Sequence, residues 1–211
     1  MIMQNTELNP HTERFMIWAI ILAAGESRRM GKPKLLLPFG ERTIIETVVS
    51  NAIQSKADEV LVVLGSDAEK MAEKIKNLPV KTSINPNFRQ GMLSSIQWGF
   101  ESLPEDTRAA LVMLGDQPLI PSSVIDEMID AYRRAEKGIV LPVYSKKRGH
   151  PILIDMKYGD EVRLLNPDTG LRALVHNHAE DILEVEVDTP SILRDIDTME
   201  DYNQIFLAHR G

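Results

Sequence analysis

The chain contains no cysteine, so disulfide bonds and thiolate metal sites are excluded. It also lacks any apolar stretch that approaches the roughly 20 residues needed for a membrane-crossing helix. Positive charge is scarce, because 24 Lys and Arg against 31 Asp and Glu give a formal net charge of −7. A nucleic-acid binder needs a basic face that neutralises phosphates, and this balance argues against one. The N-terminal residues lack the apolar core of a signal peptide, so we expect a cytoplasmic protein without a membrane or nucleic-acid partner.

Repeats, linkers and low-complexity segments are also missing from the 211 residues. This length suits one large domain and is short for two. The content of 43% hydrophobic and 26% charged residues is ordinary for a globular protein with a full core. We therefore expect residues 1–15 to form a flexible N-terminal extension and residues 16–211 to form one domain.

Apolar runs alternate with segments of helical periodicity, which is typical of βαβ units. We predict a single α/β domain with a Rossmann-like, doubly wound, mainly parallel sheet and helices on both faces. Ligands of such sheets bind beyond the carboxyl ends of the central strands, so the loops after Leu22 and Leu114 are the first candidates for a site. The main predicted elements are strands Ile17–Leu22, Val60–Leu64, Ala109–Leu114 and, at an edge, Ile182–Val187, a helix after Thr43, a helix from about Thr169 to His178, and a basic loop Tyr144–Gly149.

The segment Leu22–Lys34 follows the first predicted strand directly and combines small residues with cations. Ala23, Ala24 and Gly25 allow a phosphate to approach exposed backbone N–H groups. Arg29 and Lys34 add side-chain charge, Arg as a flat fork and Lys as a point charge. The segment therefore predicts a phosphate site, although a solvated basic loop with a turn glycine is the simpler structural alternative.

The complete pattern L-A-A-G-x-S-x-R-M-G-x-x-K resembles the signature of the nucleotidyltransferases related to molybdenum cofactor cytidylyltransferase. This resemblance implies transfer of an NMP unit from an NTP with release of pyrophosphate, with Arg29 and Lys34 as catalytic residues. It also implies CTP as donor, molybdopterin as acceptor, and a molybdenum hydroxylase as a partner that receives the product. The nucleotide-binding positions that match the signature are Leu22, Ala23, Ala24, Gly25, Ser27, Arg29, Gly31 and Lys34.

Two acidic positions are candidates for binding Mg²⁺. Asp116, in Gly115-Asp116-Gln117-Pro118, follows a buried strand, and its carboxylate there would face the ligand crevice. Asp-x-Pro alone is a common turn, but the resemblance implies that Asp116 is a catalytic, metal-binding residue. Related transferases also place a metal-binding Asp or Asn before the last helix, which makes Asp197 the second candidate. Thr198 and Asp201 can cap that helix without Asp197.

Two further segments suggest binding sites for the base and the acceptor. Asn85 to Ser95 resembles the family segment N-P-x-x-x-x-G-M-x-x-S, which implies that Asn85, Gly91 and Ser95 lie beside the nucleotide. A glycine turn followed by a serine at a helix start is the structural alternative. Arg148 and His150 stand in R-G-H-P, and Asp168 and Arg172 in a segment that resembles G-D-x-G-x-R, with Pro167 in place of the first glycine. These four residues are the predicted acceptor-binding residues.

Two other functions remain compatible with the sequence. One is cytidylyl or guanylyl transfer to another phosphorylated acceptor, such as a sugar phosphate. The other is a non-catalytic chaperone that delivers mature cofactor to a molybdoenzyme. No Ser-His-Asp or Cys-His arrangement is apparent, and transfer to a phosphate needs none, because a phosphate monoester with a second pKa of about 6 is already mostly anionic.

Overall fold

The computed structural model describes residues 16–209 and the side chains of residues 16–206, so the expected N-terminal extension lies outside the described residues. The strands are β1 Met16–Ala23, β2 Pro38–Phe39, β3 Arg42–Thr43, β4 Glu59–Leu64, β5 Lys81–Ile84, β6 Thr107–Leu114, β7 Ile139–Tyr144, β8 Lys147–Arg148, β9 Ile152–Asp155 and β10 Ile182–Glu186. The helices are α1 Ile44–Ile53, α2 Ala68–Ile75, α3 Met92–Glu101, α4 Ser122–Arg134, α5 Gly159–Leu164, α6 Leu171–Asn177 and α7 Met199–His209.

The main sheet has the strand order β10-β7-β9-β6-β1-β4-β5, with β8 paired to β7. The central strand β1 runs parallel to both β4 and β6, and β5 and β10 run parallel to their neighbours. Only β8 and β9 pair in the antiparallel direction within this sheet. The predicted doubly wound, mainly parallel sheet is confirmed, and β10 lies at the predicted edge.

Helices cover both faces of the sheet, which explains why β1 is apolar throughout. Ile17, Ala19 and Ile21 pack with α1, α2, α4 and α7 on one face. Trp18 and Ile20 pack with α3, α5 and α6 on the other face. Successive side chains of a strand point to opposite faces, so a strand buried on both faces reads as a continuous apolar run. Full burial of a large apolar side chain such as Ile20 or Ile21 stabilises the fold by about 1.5–3 kcal/mol.

Helix α1 begins where the sequence predicts, because Thr43 forms a reciprocal cap with Glu46. The Thr43 hydroxyl accepts the N–H of Glu46, and the Glu46 carboxylate accepts the N–H of Thr43 at 2.8 Å. Such a cap satisfies two of the backbone donors that a helix start leaves unpaired, and is worth about 1 kcal/mol.

Two predicted boundaries differ from the structure. The segment predicted as a basic loop is a hairpin, because Ser145 and Lys146 both have positive φ and form a two-residue turn that pairs β8 with β7. The helix predicted from about Thr169 begins instead at Leu171, because the carbonyl of Asn166 accepts the N–H groups of Thr169 and Gly170 in a turn.

None of the helices formed by residues 16–209 has the length and apolar composition of a membrane-spanning segment.

Candidate functional site

A cavity of about 470 Å³ lies beyond the carboxyl ends of β1 and β6. These strands are parallel neighbours, with Leu22 opposite Leu114, so the loops that follow them meet at one edge of the sheet. The cavity wall contains ten of the predicted nucleotide and metal residues: Leu22, Ala24, Gly25, Ser27, Arg29, Lys34, Gly91, Ser95, Asp116 and Asp197. Of the remaining predictions for this part of the site, Ala23 and Asn85 are buried and Gly31 is exposed, and none of the three lines the cavity.

A cluster of two cations and two carboxylates occupies one side of the cavity. The Lys34 ammonium lies 2.5 Å from Asp116 Oδ2 and 3.1 Å from Asp197 Oδ1. The Arg29 guanidinium lies 2.9 Å from the same Asp197 oxygen. Lys34 is the most enclosed of the four side chains, with 14% of its surface exposed. The fold therefore joins four predicted residues from three distant segments into one charge cluster.

The environment of Asp116 suits a carboxylate that binds a cation. Burial raises the pKa of its carboxyl, Lys34 opposes this rise, and nearby Asp195 adds to it. Its Oδ1 is buried and has no hydrogen-bond partner among the described residues. A buried, unpaired carboxylate oxygen is costly, so a ligand that contacts Oδ1 would relieve this cost.

The loop of segment Leu22–Lys34, which combines glycines with basic residues, is held in place by hydrogen bonds to Ser27. The Lys34 backbone N–H donates to Ser27 Oγ at 3.1 Å, and the Met30 N–H donates to the Ser27 carbonyl at 3.0 Å. Met30 is buried beneath the loop, while Gly25 is exposed at its tip. Ser27 thus fixes the loop conformation, and Gly25 presents open backbone to the cavity.

The loop that carries Asp116 lies close against the end of β1. The Gly115 N–H donates to the Leu22 carbonyl at 3.0 Å, and a Cβ at Gly115 would lie 2.8 Å from that carbonyl oxygen. Only glycine permits this approach without a backbone shift. The glycine of G-D-Q-P therefore brings Asp116 within reach of Lys34.

The segment before α7 forms the helix cap that the sequence predicts. Asp201 accepts the N–H groups of Thr198 at 2.8 Å and Asp197 at 3.2 Å, and the Thr198 hydroxyl accepts the Asp201 N–H at 3.1 Å. The Ile196 N–H also donates to the Asp116 carbonyl at 3.0 Å. The helix cap is thus confirmed, and it positions Asp197 beside Lys34.

A second part of the cavity wall contains contacts that the sequence did not predict. Glu26 accepts a hydrogen bond from Arg28 at 2.6 Å and lies 3.6 Å from Arg89, whose guanidinium is 5.1 Å from the centre of the Phe88 ring. Arg89 and Phe88 stand within the N-P-x-x-x-x-G-M segment, but at positions where the family pattern specifies no residue. Leu35, Met92 and Leu114 also line the cavity; Met92 stands in the segment predicted beside the nucleotide, and Leu35 was not predicted.

Asn85 is buried and does not line the cavity, but it supports the wall through Ser95, which does. Its amide donates to Ser95 Oγ at 3.0 Å and to Ser94 Oγ at 3.1 Å, and its Oδ1 accepts the Asn87 N–H at 2.8 Å. Gly91, with φ +104, lies between this turn and α3. Asn85 therefore ties the start of α3 to the end of β5.

None of the four predicted acceptor residues lines the cavity. His150 lies close enough to Asp195 and Asp116 for their charges to act on its pKa, which burial lowers despite them. Arg148 is exposed on the hairpin and pairs with Glu184 at 2.6 Å. Asp168 and Arg172 are exposed around the turn before α6. Of these four residues, only His150 approaches the carboxylate cluster.

One residue near His150 was also missed by sequence reasoning. Gln117 is buried, and its amide donates to Asp195 Oδ1 at 2.5 Å. Its Oε1 is buried without a partner among the described residues. Gln117 joins the β6 loop to the segment before α7, a contact between positions 78 apart that no local pattern indicates.

Comparison with known proteins gives consistent matches over most of the chain. Residues 19–182 match the family model described as the MobA-like NTP transferase domain. The molybdenum cofactor cytidylyltransferase of Escherichia coli (strain K12) is 30% identical over 185 residues, covering 87% of this chain and 92% of that protein. The nicotine blue oxidoreductase of Paenarthrobacter nicotinovorans is 27% identical over 193 residues, covering 87% and 93%.

Solved structures agree with this assignment. The Rv0371c protein of Mycobacterium tuberculosis superposes with a TM-score of 0.83 at 26% identity, covering 92% of this chain and 98% of that one. Its complex with manganese has a TM-score of 0.78 at 25% identity, with the same coverage. The chain therefore belongs to the MobA-like NTP transferase family and is a nucleotidyltransferase.

Proposed function

We propose that the protein transfers CMP from CTP to the phosphate of molybdopterin, releases pyrophosphate and forms molybdopterin cytosine dinucleotide. The observation that carries this proposal is the contact of Lys34 with both Asp116 and Asp197 at the rim of a glycine-lined cavity. The relative from Escherichia coli supports this choice of donor and acceptor. The L-A-A-G form of the loop favours cytosine by analogy, since the guanylyltransferase relatives typically have L-A-G-G.

The glycine-rich loop is suited to the triphosphate of the donor. A Cβ at Gly25 would meet nothing within 4 Å, so the space above this backbone is open to a ligand. Backbone N–H groups there can donate to phosphate oxygens. Arg29 and Lys34 border the same space and can neutralise charge on the departing pyrophosphate.

The acidic pair fits a divalent cation such as Mg²⁺. Asp116 Oδ2 and Asp197 Oδ1 converge on one nitrogen atom, and Asp116 Oδ1 has no other partner among the residues described. Carboxylate oxygens are the protein ligands that Mg²⁺ and Mn²⁺ prefer. When bound, such an ion supplies charge neutralisation at the α-phosphate and orients it for attack. The manganese complex of the M. tuberculosis relative supports a divalent cation in this family.

The proposed reaction forms one P–O bond and breaks one. An oxygen of the acceptor phosphate attacks the α-phosphorus of CTP, and the bond to the bridging oxygen breaks, so that pyrophosphate leaves with the electron pair. The acceptor phosphate is already anionic at neutral pH, and the site needs no strong general base. Burial lowers the pKa of His150, so its imidazole is neutral at pH 7 and can donate a hydrogen bond to the acceptor. Catalysis then rests on positioning and charge neutralisation.

The test is a substrate screen. The purified protein is incubated with Mg²⁺, molybdopterin and each of the four NTPs in turn, while pyrophosphate release and product mass are measured. We expect release that needs both CTP and molybdopterin. Release with CTP and a sugar phosphate instead would redirect the proposal to another acceptor. No release with any NTP would support the chaperone, and would contradict the enzymatic proposal.

The oxidoreductase among the relatives shows that this fold is not tied to one reaction. The carboxylate–lysine cluster favours phosphate chemistry, since electron transfer to an organic substrate does not require a paired metal-binding site. The same screen therefore includes an arm in which an oxidised organic dye, as electron acceptor, is supplied with a reduced nicotinamide dinucleotide. Its consumption in the absence of any pyrophosphate release would favour the oxidoreductase.

A further inference from the structure

We infer that the Lys34 ammonium group occupies the position of a cation between Asp116 and Asp197 and leaves it when the NTP binds. The site then takes up a divalent cation together with the NTP and not before it. This inference rests on the proposed metal-dependent transfer. It assigns the lysine a second task, which is to keep free metal out until the triphosphate gives the ammonium group another partner.

The geometry places the ammonium group where a bridging cation would lie. Lys34 Nζ contacts one oxygen of each carboxylate, at 2.5 Å for Asp116 and 3.1 Å for Asp197. A metal ion that contacts both of these oxygens from the side of Lys34 must take the place of this nitrogen, because the ion and the ammonium group cannot occupy one position. Lys34 is therefore a direct competitor of the metal.

The local charges also oppose metal that arrives alone. The guanidinium of Arg29 shares Asp197 Oδ1 with Lys34, so two cations already neutralise two carboxylates. A divalent ion that enters this cluster is repelled by both cations, and the repulsion from Lys34 is the less screened of the two because Lys34 is the more enclosed. The carboxylate pair is thus a poor site for free metal while Lys34 remains in place.

A triphosphate removes this obstacle. Its oxygens accept hydrogen bonds from Lys34 and Arg29 and replace the contacts that these side chains give up. Once the two cations turn to the phosphates, the carboxylates are available to the metal that accompanies the nucleotide. The binding of metal and of nucleotide is then positively coupled, and each ligand raises the affinity for the other.

The exchange moves side chains and leaves the backbone at Lys34 in place. Its N–H is fixed by Ser27 Oγ at 3.1 Å, and its carbonyl accepts the Leu37 N–H at 3.0 Å. The four-carbon stem of a lysine carries rotatable bonds that can redirect the ammonium group without backbone change. The exchange therefore needs no movement of the loop.

The test measures Mn²⁺ binding to the full chain in the absence of nucleotide, from the electron paramagnetic resonance signal of free Mn²⁺. Wild type is compared with Lys34→Met and Lys34→Gln. The matched control is Lys32→Met, which removes the same charge from the same loop at an exposed residue that makes no ion pair within the described part of the chain. We expect both Lys34 variants to bind Mn²⁺ at least about tenfold more tightly than wild type, and Lys32→Met to stay within about twofold.

Two further measurements define the outcome. Adding Asp116→Asn to Lys34→Met should abolish the gain in Mn²⁺ affinity, which places the bound ion at this carboxylate. CTP binding should weaken in both Lys34 variants, opposite in direction to the metal. Equal Mn²⁺ affinity of wild type and both folded Lys34 variants would overturn the inference and leave the proposed transfer intact. Failure of wild type to release pyrophosphate from any NTP would instead refute the proposed function, whatever the Mn²⁺ result.

Discussion

Lys34 donates a hydrogen bond to Asp116 at 2.5 Å, although 82 positions separate them in the chain. The two residues meet because each follows a strand of a parallel pair, and Leu22 of β1 lies opposite Leu114 of β6. The sheet therefore creates the contact, and the proposed chemistry depends on it. Changes at either residue and at the glycines around them test this dependence.

Replacing Asp116 with asparagine should stop transfer without harming the fold. The amide has nearly the same shape, but it is a weak metal ligand and cannot neutralise a cation. We expect pyrophosphate release to fall by at least about a hundredfold, as when a transition-state contact is lost. Burial raises the pKa of this carboxyl, so losing its charge should not lower the thermal unfolding midpoint. Asp188→Asn, at an exposed residue, is the control for net charge. Wild-type turnover in Asp116→Asn would show that the metal assignment is wrong.

Two glycines near the site should respond to alanine in opposite ways. At Gly115 a Cβ would lie 2.8 Å from the Leu22 carbonyl oxygen, so Gly115→Ala should lower the free energy of unfolding by about 1–3 kcal/mol. At Gly25 a Cβ meets no atom within 4 Å, so Gly25→Ala should leave stability unchanged. Its methyl group would instead fill space meant for phosphate, and CTP affinity should fall. Denaturant unfolding and calorimetric CTP titration measure the two effects.

The opposite pattern in these glycine variants would contradict the roles proposed for Gly25 and Gly115. If Gly25→Ala bound CTP normally, the glycine loop would not contact the triphosphate. If Gly115→Ala were as stable as wild type, the close approach of the two loops would not hold Asp116 in place.

Substitutions at Asp197 and Asp201 should have different effects, the first on turnover and the second on stability. Asp201 caps α7 through hydrogen bonds to Thr198 and to the Asp197 N–H, so Asp201→Ala should cost about 1 kcal/mol of stability, as the loss of a helix cap usually does. Asp197→Asn leaves the cap intact and should reduce turnover strongly with little loss of stability. Thermal unfolding and initial rates of both variants check this. Full activity in Asp197→Asn would leave Asp116 as the sole proposed metal ligand.

The contiguous parts of the site could be predicted from the sequence, and the contacts between distant segments could not. Arg29, Lys34 and Asp116 stand in patterns that follow buried strands, and the confirmed fold explains why these strand ends meet. By contrast, no local pattern indicates that Gln117 donates to Asp195 or that Glu26 lies between Arg28 and Arg89. Such pairs depend on the path of the backbone between elements, which periodicity does not define.

His150 should make stability depend on pH. Burial lowers the pKa of its imidazole below the ordinary value of about 6.5, so the unfolded chain binds a proton at this residue more readily than the folded chain does. The contribution of the neutral His150 to the free energy of unfolding is therefore fully present above about pH 6.5, and it is lost as the pH falls below this value. Wild type should lose more free energy of unfolding than His150→Gln between pH 7 and 5, measured by denaturant unfolding. Parallel curves for the two proteins would contradict the assigned burial of the imidazole.

The path of labelled phosphorus shows whether CMP passes from CTP to a phosphate of molybdopterin. CTP labelled at the α-phosphorus is incubated with the protein, Mg²⁺ and molybdopterin, and the products are separated. We expect the label to join the pterin product, while a label placed at the γ-phosphorus leaves as pyrophosphate. Retention of the α-label in CTP, or its release as free CMP regardless of the acceptor, would contradict the claim.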